Sequence, residues 1–250
     1  MCTILVAWRC LPADWGVDFV LAANRDELRS RDSDPPRLAA DPPVWAGRDR
    51  LAGGTWLAVD PAGRVAAVTN RHPGGKVPTR DPERVSRGRL PLDLLRGDDD
   101  AARACLGALR PASFNPVNAL YLSRDRALVL HLDDQSGATV VPVEPGVHVL
   151  GEQDLDDHDD KTSGIRRAAT AVVERATDPD SLVAGLQSLL SSHTRYAEGP
   201  SSAACIHEAA YGTVSSSVVS VGDDVSYSHA EGPPCTAPFE PVLPRRTEAF

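Results

Sequence analysis

Cys2 is the residue with the clearest potential for chemistry, because it directly follows the initiator Met1. Methionine is normally removed during synthesis when the second side chain is small, which would leave a thiol and a free α-amine on one residue. An α-amine has a pKa of about 7.7 to 8, so it can accept the thiol proton near neutral pH without a histidine. The position therefore predicts an N-terminal cysteine nucleophile; the alternative interpretation is that residue 2 is merely small.

A charged tetrapeptide, Asn24-Arg25-Asp26-Glu27, follows the apolar segment Phe19–Ala23. If that segment is a strand paired with Thr3–Trp8, the tetrapeptide lies close to Cys2. A carboxylate there would hold the α-ammonium group, and an arginine would favour the thiolate. The alternative interpretation is a turn whose charges are solvated.

The sequence predicts no metal site. The acidic run from Glu152 to Asp160 lacks the ordered spacing of a calcium loop, which favours a solvated segment that leads into a helix. The remaining histidines show no i, i+4 pair or other ligand spacing: His72, His131, His148, His193, His207 and His229. The cysteines are five in number and lack metal-ligand or disulfide spacing, which predicts reduced thiols: Cys2, Cys10, Cys105, Cys205 and Cys235.

Strands are expected to position the candidate residues near the N-terminus. Patterns rich in β-branched and apolar residues predict four of them: Thr3–Trp8, Phe19–Ala23, Thr55–Asp60 and Arg64–Thr69. The turn Pro61-Ala62-Gly63 predicts a hairpin between the last two. The Pro-rich and charged stretch Leu28–Asp49 is interpreted as a surface excursion.

The rest of the chain alternates between helical and strand patterns. Helical periodicity predicts four helices: Arg87–Leu95, Asp99–Leu109, Ile165–Arg175 and Ser181–Leu190. Seven further strands are predicted: Ala119–Ser123, Ala127–Leu132, Thr139–Val143, Val147–Leu150, Ala203–His207, Thr213–Val221 and Val225–His229. Such alternation is typical of an α+β fold in which helices cover antiparallel sheets, and residues 1–250 are predicted to form a single domain because no low-complexity linker divides them.

Composition and charge exclude several classes of protein. A formal net charge of −9 without a basic face argues against nucleic-acid binding. The longest apolar runs are far shorter than the roughly 20 residues that a membrane-spanning helix needs. No secretory signal is visible at the N-terminus, so we expect a cytoplasmic protein.

Six short blocks together resemble the NRDE family, also called the transport-and-Golgi-organisation family. They follow one another in the family's order and span residues 2 to about 221: Met1-Cys2-Thr3, Ala22-Ala23-Asn24-Arg25-Asp26-Glu27, Gly53-Gly54-Thr55-Trp56-Leu57, Ala66-Ala67-Val68-Thr69-Asn70, Ser86-Arg87-Gly88-Arg89-Leu90 and Tyr211-Gly212-Thr213. Each block alone is a weak signal, but the combination is specific.

The resemblance implies a four-layer αββα N-terminal-nucleophile hydrolase fold, related to penicillin V acylase and bile salt hydrolase. In that group an N-terminal cysteine attacks an amide while an aspartate and an arginine lie beside it. Carried over, these roles fall on Cys2 and Asp26, whereas the group's arginine aligns with Ala23 and is replaced by Arg25, two residues along the same strand face. Asn24 aligns with the group's asparagine and is implied to bind substrate.

The resemblance also implies an oxyanion hole and two departures from the family pattern. Asn70 aligns with an oxyanion-hole residue, whose amide N–H would stabilise negative charge on the substrate carbonyl. Glu152 occupies the region of a second oxyanion asparagine and would repel an oxyanion when ionised. Val214 stands where relatives commonly have an arginine after Tyr-Gly-Thr. Both are implied to face the substrate.

The sequence therefore predicts a hydrolase or acyltransferase that acts on an amide or thioester of a small molecule through a Cys2 acyl-enzyme, with no cofactor. The alternative is a non-catalytic protein on the same fold that binds or carries haem or acyl lipids, since family members have been connected with those ligands. The sequence has no haem-attachment motif, although a lone histidine or cysteine can ligate haem. It does not define the oligomeric state.

Overall fold

The computed structural model of the protein describes residues 2–243. The predicted removal of Met1 therefore lies outside the described residues. The strands are β1 Thr3–Trp8, β2 Val17–Leu28, β3 Ser33–Leu38, β4 Trp45–Asp49, β5 Leu57–Val59, β6 Val65–Asn70, β7 Val117–Leu122, β8 Ala127–Asp133, β9 Gly137–Pro142, β10 Gly146–Leu150, β11 Tyr211–Gly222, β12 Val225–Ala230 and β13 Glu240–Leu243. The helices are α1 Leu90–Leu94, α2 Asp99–Ala108, α3 Asp160–Arg175 and α4 Pro179–Leu190.

The chain forms two compact units, and it passes between them more than once. The first unit contains residues 31–144 and 151–155. The second contains residues 2–30, 145–150 and 156 onwards. The single domain expected from the sequence stays a prediction.

The second unit is built on a sheet of six strands in the order β10-β1-β2-β11-β12-β13. Its strands pair antiparallel, and α3 and α4 cover one face. Because side chains alternate between the two faces of a strand, one set on each strand packs against the helices. That apolar core includes Leu5, Val20, Ala22, Ile165, Leu186 and Val218.

The first unit is an antiparallel sheet of seven strands that follow the chain from β3 to β9. Its helices, α1 and α2, pack on one face through Leu90, Leu94 and Leu106. The facing sheet residues are apolar at alternate positions: Ala66, Val68, Val117, Ala119, Tyr121, Leu128, Leu130 and Leu132. Strand and helix patterns therefore alternate along the chain, as the sequence predicted, because each sheet is covered by its own pair of helices.

Aspartates define where three of the helices begin. Asp98 caps α2, Asp159 caps α3 and Asp178 caps α4, each by accepting a backbone N–H from the first turn. Such caps satisfy amide groups that have no partner inside the helix. The predicted helices agree with the observed ones, except that Arg87–Arg89 forms a short 3-10 turn before α1.

The structure corrects three predictions about strands. The excursion Leu28–Asp49 contains β3 and β4, whose Pro-rich sequence is tolerated because β3 lies at the sheet edge. Segment Ala203–His207 is not a strand: Cys205 donates its backbone N–H to Ser192, and only His207 forms an isolated bridge, with Gly212. Strand β13 was not predicted.

Two of the family-like blocks meet through their glycines. A side chain at Gly54 would collide with the backbone of Gly88, and Thr55 donates its backbone N–H to the Gly88 carbonyl at 2.8 Å. The glycines in these blocks are therefore needed for a close approach of two backbones. Among the described residues, no helix is both long enough and apolar enough to cross a membrane.

Candidate functional site

Strand pairing places Cys2 at the edge of a row of three side chains. Thr3 pairs with Asn24 across β1 and β2, so Cys2 lies opposite Arg25. Arg25 in turn pairs with Ser215 of β11. Residues directly opposite each other in an antiparallel sheet share a face, so Cys2, Arg25 and Ser215 line the face that α3 and α4 do not cover.

The thiol of Cys2 is surrounded by groups of the predicted tetrapeptide. Burial is the main reason why the pKa of Cys2 is raised above its ordinary value, and the negative charge of Asp26 adds to the rise. A hydrogen bond from the Asp26 backbone and the positive charge of Arg25 act in the opposite direction. The charge of Arg25 lowers the pKa of Cys2 and so favours the thiolate, but the loss of hydration on burial raises that pKa by more. Burial therefore favours the thiol form of Cys2 over the thiolate.

The backbone of Asp26 lies next to the Cys2 thiol, and its side chain is held by strand β11. Its Oδ1 accepts a 2.6 Å hydrogen bond from Thr213 Oγ1, and its backbone carbonyl accepts one from the Tyr211 hydroxyl at 3.2 Å. Only 3% of Asp26 is exposed to solvent. The carboxylate is thus fixed in orientation, as a group that binds an ammonium ion must be.

Val214 occupies a β-bulge rather than a regular strand position. Thr213 pairs with Asp26 and Ser215 pairs with Arg25, so Val214 is the extra residue between them. Such a bulge re-aims the side chains on either side of it, and here it turns Thr213 and Ser215 to opposite faces. Ser215 Oγ is buried, and among the described residues it has no hydrogen-bond partner. Sequence analysis did not identify Ser215.

Asn24 points to the opposite face from Arg25, towards the helices. Its amide donates to the carbonyls of Leu190 at 2.9 Å and Ala204 at 2.8 Å, and its oxygen accepts from the Ser216 hydroxyl. Its side chain is almost fully buried. These contacts connect β2 to the end of α4 through Asn24. The substrate-binding role implied by the family resemblance stays a prediction.

Replacement of Asn24 by alanine is expected to destabilise the protein by about 3 kcal/mol, because two buried carbonyls and one hydroxyl lose their partner. Urea unfolding of the purified variant measures the change. Ser192→Ala, at a hydroxyl bonded to Thr194 on the exposed surface, is the matched control and should change stability by less than about 0.5 kcal/mol. Equal stability of Asn24→Ala and wild type would contradict the architectural role.

Asn70 ends strand β6 in the first unit. Arg71 donates its backbone N–H to Pro116 on the β7 side at 3.2 Å, whereas Val68 donates to Trp56 on the β5 side at 2.9 Å. Because successive N–H groups of a strand alternate in direction, the amide of Asn70 points to the β5 side. Strand β5 covers only Leu57–Val59. The oxyanion-hole role of Asn70 stays a prediction that rests on the family resemblance.

Glu152 is held by a histidine close to Asn70 in the chain. Its carboxylate lies 2.8 Å from His72 Nδ1, and its backbone carbonyl accepts the His72 N–H at 2.7 Å. The adjacent loop is bound by Asn118, whose amide donates to Gly151 at 3.2 Å and to Gln153 at 2.8 Å. The Glu152 side chain is therefore held in place by His72 in the first unit, and its implied contact with substrate stays a prediction.

The acidic run is only partly the solvated segment that the sequence predicted. Asp159 and Asp160 do lie at the start of α3. By contrast, Asp154 binds Arg71 at 2.6 Å in the first unit, and Asp156 binds His148 at 2.7 Å in the second. Both partners lie outside the acidic run, Arg71 at 83 residues from Asp154 and His148 at eight residues from Asp156, so the spacing of the run itself gave no sign of these pairs.

A buried histidine lies near Ser217 on β11. His229 Nδ1 is 3.0 Å from Ser217 Oγ, and the Tyr227 hydroxyl is 3.2 Å from the same oxygen. Burial lowers the pKa of His229 to about 4. The imidazole is therefore neutral in the folded protein at neutral pH.

This histidine is expected to make the fold acid-sensitive. Below pH 6.5 the His229 imidazole of the unfolded chain is protonated, whereas in the folded protein it is protonated only below about pH 4. The free energy of unfolding is therefore highest above pH 6.5 and falls as the pH decreases through that window. On acidification from pH 7 to pH 5, this single residue should lower the free energy of unfolding by about 2 kcal/mol. Urea unfolding at both values measures it. If His229→Gln loses as much stability on acidification as wild type, the assignment is wrong.

A second cluster, which the sequence analysis did not find, lies in the same unit. His193, Cys205, His207 and Cys235 bring two imidazoles and two thiols within 4.8 Å of one another. In the sequence, only the segment Cys205-Ile206-His207 brings two members of the cluster close together, because the other members are distant from it. All five cysteines of the chain are free thiols.

The chain is similar over most of its length to proteins of one known family. A family model described as "Transport and Golgi organisation 2" matches residues 1–232. The mouse "Transport and Golgi organization 2 homolog" is 25% identical over 239 residues, which cover 81% of this chain and 82% of the relative. The bovine homologue is 26% identical over 242 residues, which cover 82% and 83%.

Solved structures with the same fold include two hydrolases. An N-acylethanolamine-hydrolyzing acid amidase orthologue from Caenorhabditis elegans has a TM-score of 0.50 and 14% identity, covering 87% of this chain and 92% of its own. A mutant conjugated bile acid hydrolase from Clostridium perfringens has a TM-score of 0.55 and 12% identity, covering 92% and 89%. The αββα N-terminal-nucleophile hydrolase fold class predicted from the sequence is confirmed.

Proposed function

We propose that this chain, which belongs to the Transport and Golgi organisation 2 family, is a cysteine hydrolase or acyltransferase. It forms an acyl-enzyme on Cys2 with an amide or thioester of a small molecule. The observation that carries the proposal is the setting of Cys2, whose position opposite Arg25 on paired strands puts its thiol beside the charges of Arg25 and Asp26. The names of the two solved hydrolases with this fold support the class of reaction.

The raised pKa of Cys2 explains why a base is needed. Once Met1 is removed, the α-amine on the same residue is the nearest group that can accept the thiol proton. The buried carboxylate of Asp26 would hold the resulting ammonium ion, and Arg25 would stabilise the thiolate until it attacks. This division of roles needs no histidine.

The reaction then proceeds in two balanced halves. The Cys2 sulfur bonds to the carbonyl carbon, the tetrahedral intermediate collapses, and the leaving amine or thiol takes the proton from the ammonium group. The amine next takes a proton from water, whose oxygen attacks the thioester carbonyl carbon. The C–S bond then breaks, the sulfur takes the proton back from the ammonium group, and a carboxylic acid is released. In an acyltransferase a second nucleophile replaces water. Asn70 stays the proposed oxyanion donor, on the family resemblance alone.

Ser215 is proposed to bind the substrate, because its buried hydroxyl lies beside Arg25 on the face of Cys2. Ser215→Ala should lower acylation about three- to tenfold, as expected for the loss of one neutral hydrogen bond. The fold should be as stable as wild type, since an unsatisfied buried hydroxyl is removed. Stopped-flow acylation and thermal melts measure the two effects. Unchanged acylation would exclude contact with the substrate.

The function is tested with a panel of activated esters, N-acyl amides and acyl thioesters on the purified full chain. We expect a burst of leaving group equal to the enzyme concentration, followed by slower turnover. Haem and long-chain acyl ligands are titrated in parallel, with haem followed by its Soret band. Binding that survives in Cys2→Ala, without any burst in wild type, would favour the carrier function instead. The cytoplasm is the proposed location, in keeping with five free thiols.

A further inference from the structure

The thiol–imidazole cluster of His193, Cys205, His207 and Cys235 is drawn from three separate segments. Cys205 Sγ lies 3.7 Å from Cys235 Sγ and 3.5 Å from His207 Nε2, and His207 Nε2 lies 3.1 Å from Cys235 Sγ. The His193 and His207 rings meet edge to face with centroids 5.1 Å apart. Four soft or borderline donor atoms therefore converge on one point.

These separations match a tetrahedral metal centre. With Zn–S bonds of about 2.3 Å and Zn–N bonds of about 2.0 Å, tetrahedral geometry places two sulfurs about 3.8 Å apart and a sulfur and nitrogen about 3.5 Å apart. The observed S–S and Cys205–His207 distances are 3.7 and 3.5 Å. The distance from His207 Nε2 to Cys235 Sγ is shorter, 3.1 Å, and all four donor atoms lie within 4.8 Å of one another, so metal binding would require small side-chain shifts.

We propose that these four residues bind one Zn²⁺ ion, or a chemically similar soft divalent ion, as a structural centre. Two thiolates and two neutral imidazoles are a donor set that zinc prefers and that magnesium and calcium, which need oxygen ligands, do not. Binding releases one proton from each thiol, so the dication and two thiolates form a neutral centre. No position is left for substrate, which separates this centre from catalytic zinc.

The segments that carry the ligands are already tied together by hydrogen bonds. Cys205 donates its backbone N–H to the Ser192 carbonyl at 3.0 Å, next to His193. Ser191 Oγ donates to the Pro234 carbonyl at 3.0 Å, next to Cys235. The site is thus largely preformed, and a metal would have little ordering cost to offset.

The proposed metal centre is also connected to Asp26 by a chain of hydrogen bonds. Ile206, between the ligands Cys205 and His207, exchanges two hydrogen bonds of 2.9 Å with Thr213. Thr213 in turn donates to the Asp26 carboxylate at 2.6 Å. A bound metal would fix this loop, so the four ligands act on Asp26 as positioning residues rather than catalytic ones.

The competing chemistry for this cluster is a disulfide between Cys205 and Cys235. Their sulfurs are 3.7 Å apart, whereas a disulfide bond is about 2.05 Å long. Oxidation would remove both thiolate ligands. Metal binding and the disulfide are therefore exclusive, and an experiment can separate them.

The test measures metal in the full chain purified under reducing conditions without chelator. Elemental analysis should find about one zinc per chain in wild type, as for a structural site with a high affinity. The double variant Cys205→Ser/Cys235→Ser should retain less than a tenth of that amount. The matched control Cys10→Ser/Cys105→Ser also loses two thiols and should bind as wild type does.

Cobalt provides a second readout that does not depend on activity. Reduced wild type and the control should show the thiolate charge-transfer and intense visible bands of tetrahedral Co²⁺, and His193→Ala should weaken them. Chelation should lower the melting temperature of wild type but not of the cluster variant. The proposal is overturned if reduced wild type binds neither ion, if the cluster variant binds as much as wild type, or if mass spectrometry shows a Cys205–Cys235 disulfide that reforms in the presence of zinc.

Discussion

Replacement of Cys2 by alanine abolishes acylation by activated esters, lowering the burst rate by about a thousandfold or more. No other thiol can take its place, because only Cys2 would carry a base on its own backbone after Met1 is removed. Stopped-flow measurement of the released leaving group gives the burst amplitude and rate. The melting temperature of the variant should stay close to that of wild type, since Cys2 lies outside the strands.

Cys10→Ala is the matched control for this prediction. Cys10 follows the same strand β1 at its other end and is, like Cys2, partly buried. Burial also raises the pKa of Cys10, so the two thiols differ mainly in their neighbours. A burst that survives in Cys2→Ala but disappears in Cys10→Ala would move the reaction away from the N-terminus.

Asp26→Asn is expected to slow acylation about ten- to a hundredfold, the second largest effect. The substitution keeps the shape of the side chain and the oxygen that accepts from Thr213, but it removes the negative charge that would orient the α-ammonium group. A charge-assisted hydrogen bond contributes roughly 1.5 to 3 kcal/mol, which corresponds to that loss when the contact strengthens in the transition state. Burst kinetics and thermal melts on the same preparation measure rate and stability.

Two further variants separate charge from architecture. Asp14→Asn, on the exposed turn Ala13–Trp15 of the same unit, should leave acylation unchanged. Thr213→Val removes the hydrogen bond to Asp26 but keeps the charge, so it should fall between wild type and Asp26→Asn. Wild-type acylation in Asp26→Asn would show that Asp26 serves only the strand pairing, and an unfolded variant would show that its main role is in the fold.

The neighbourhood of Cys2 could be predicted from local sequence. Two apolar segments, Thr3–Trp8 and Phe19–Ala23, are joined by a short connection, and the hairpin that they form sets Cys2 opposite Arg25. Because successive side chains of a strand point to opposite faces, the pairing also determines which face of the sheet each residue occupies. The prediction could not tell that burial outweighs Arg25 at the thiol, because desolvation depends on atoms from other strands.

Features that depend on pairing between distant segments were missed. The bulge at Val214 is defined by the register between β2 and β11, which are about 190 residues apart in the chain, and the sequence of β11 alone does not reveal it. Likewise, His193 and Cys235 contribute to one cluster although 41 residues separate them. Strand β3 escaped notice because prolines are depleted in most strands and tolerated only at edges.

The most direct test of the central claim is the mass of the native protein before and after reaction with an activated acyl donor. We predict a chain that lacks Met1 and gains one acyl group, which hydroxylamine removes and peptide mapping assigns to Cys2. Retention of Met1 in most molecules, or an acyl group on Cys10, Cys105, Cys205 or Cys235, would contradict the account.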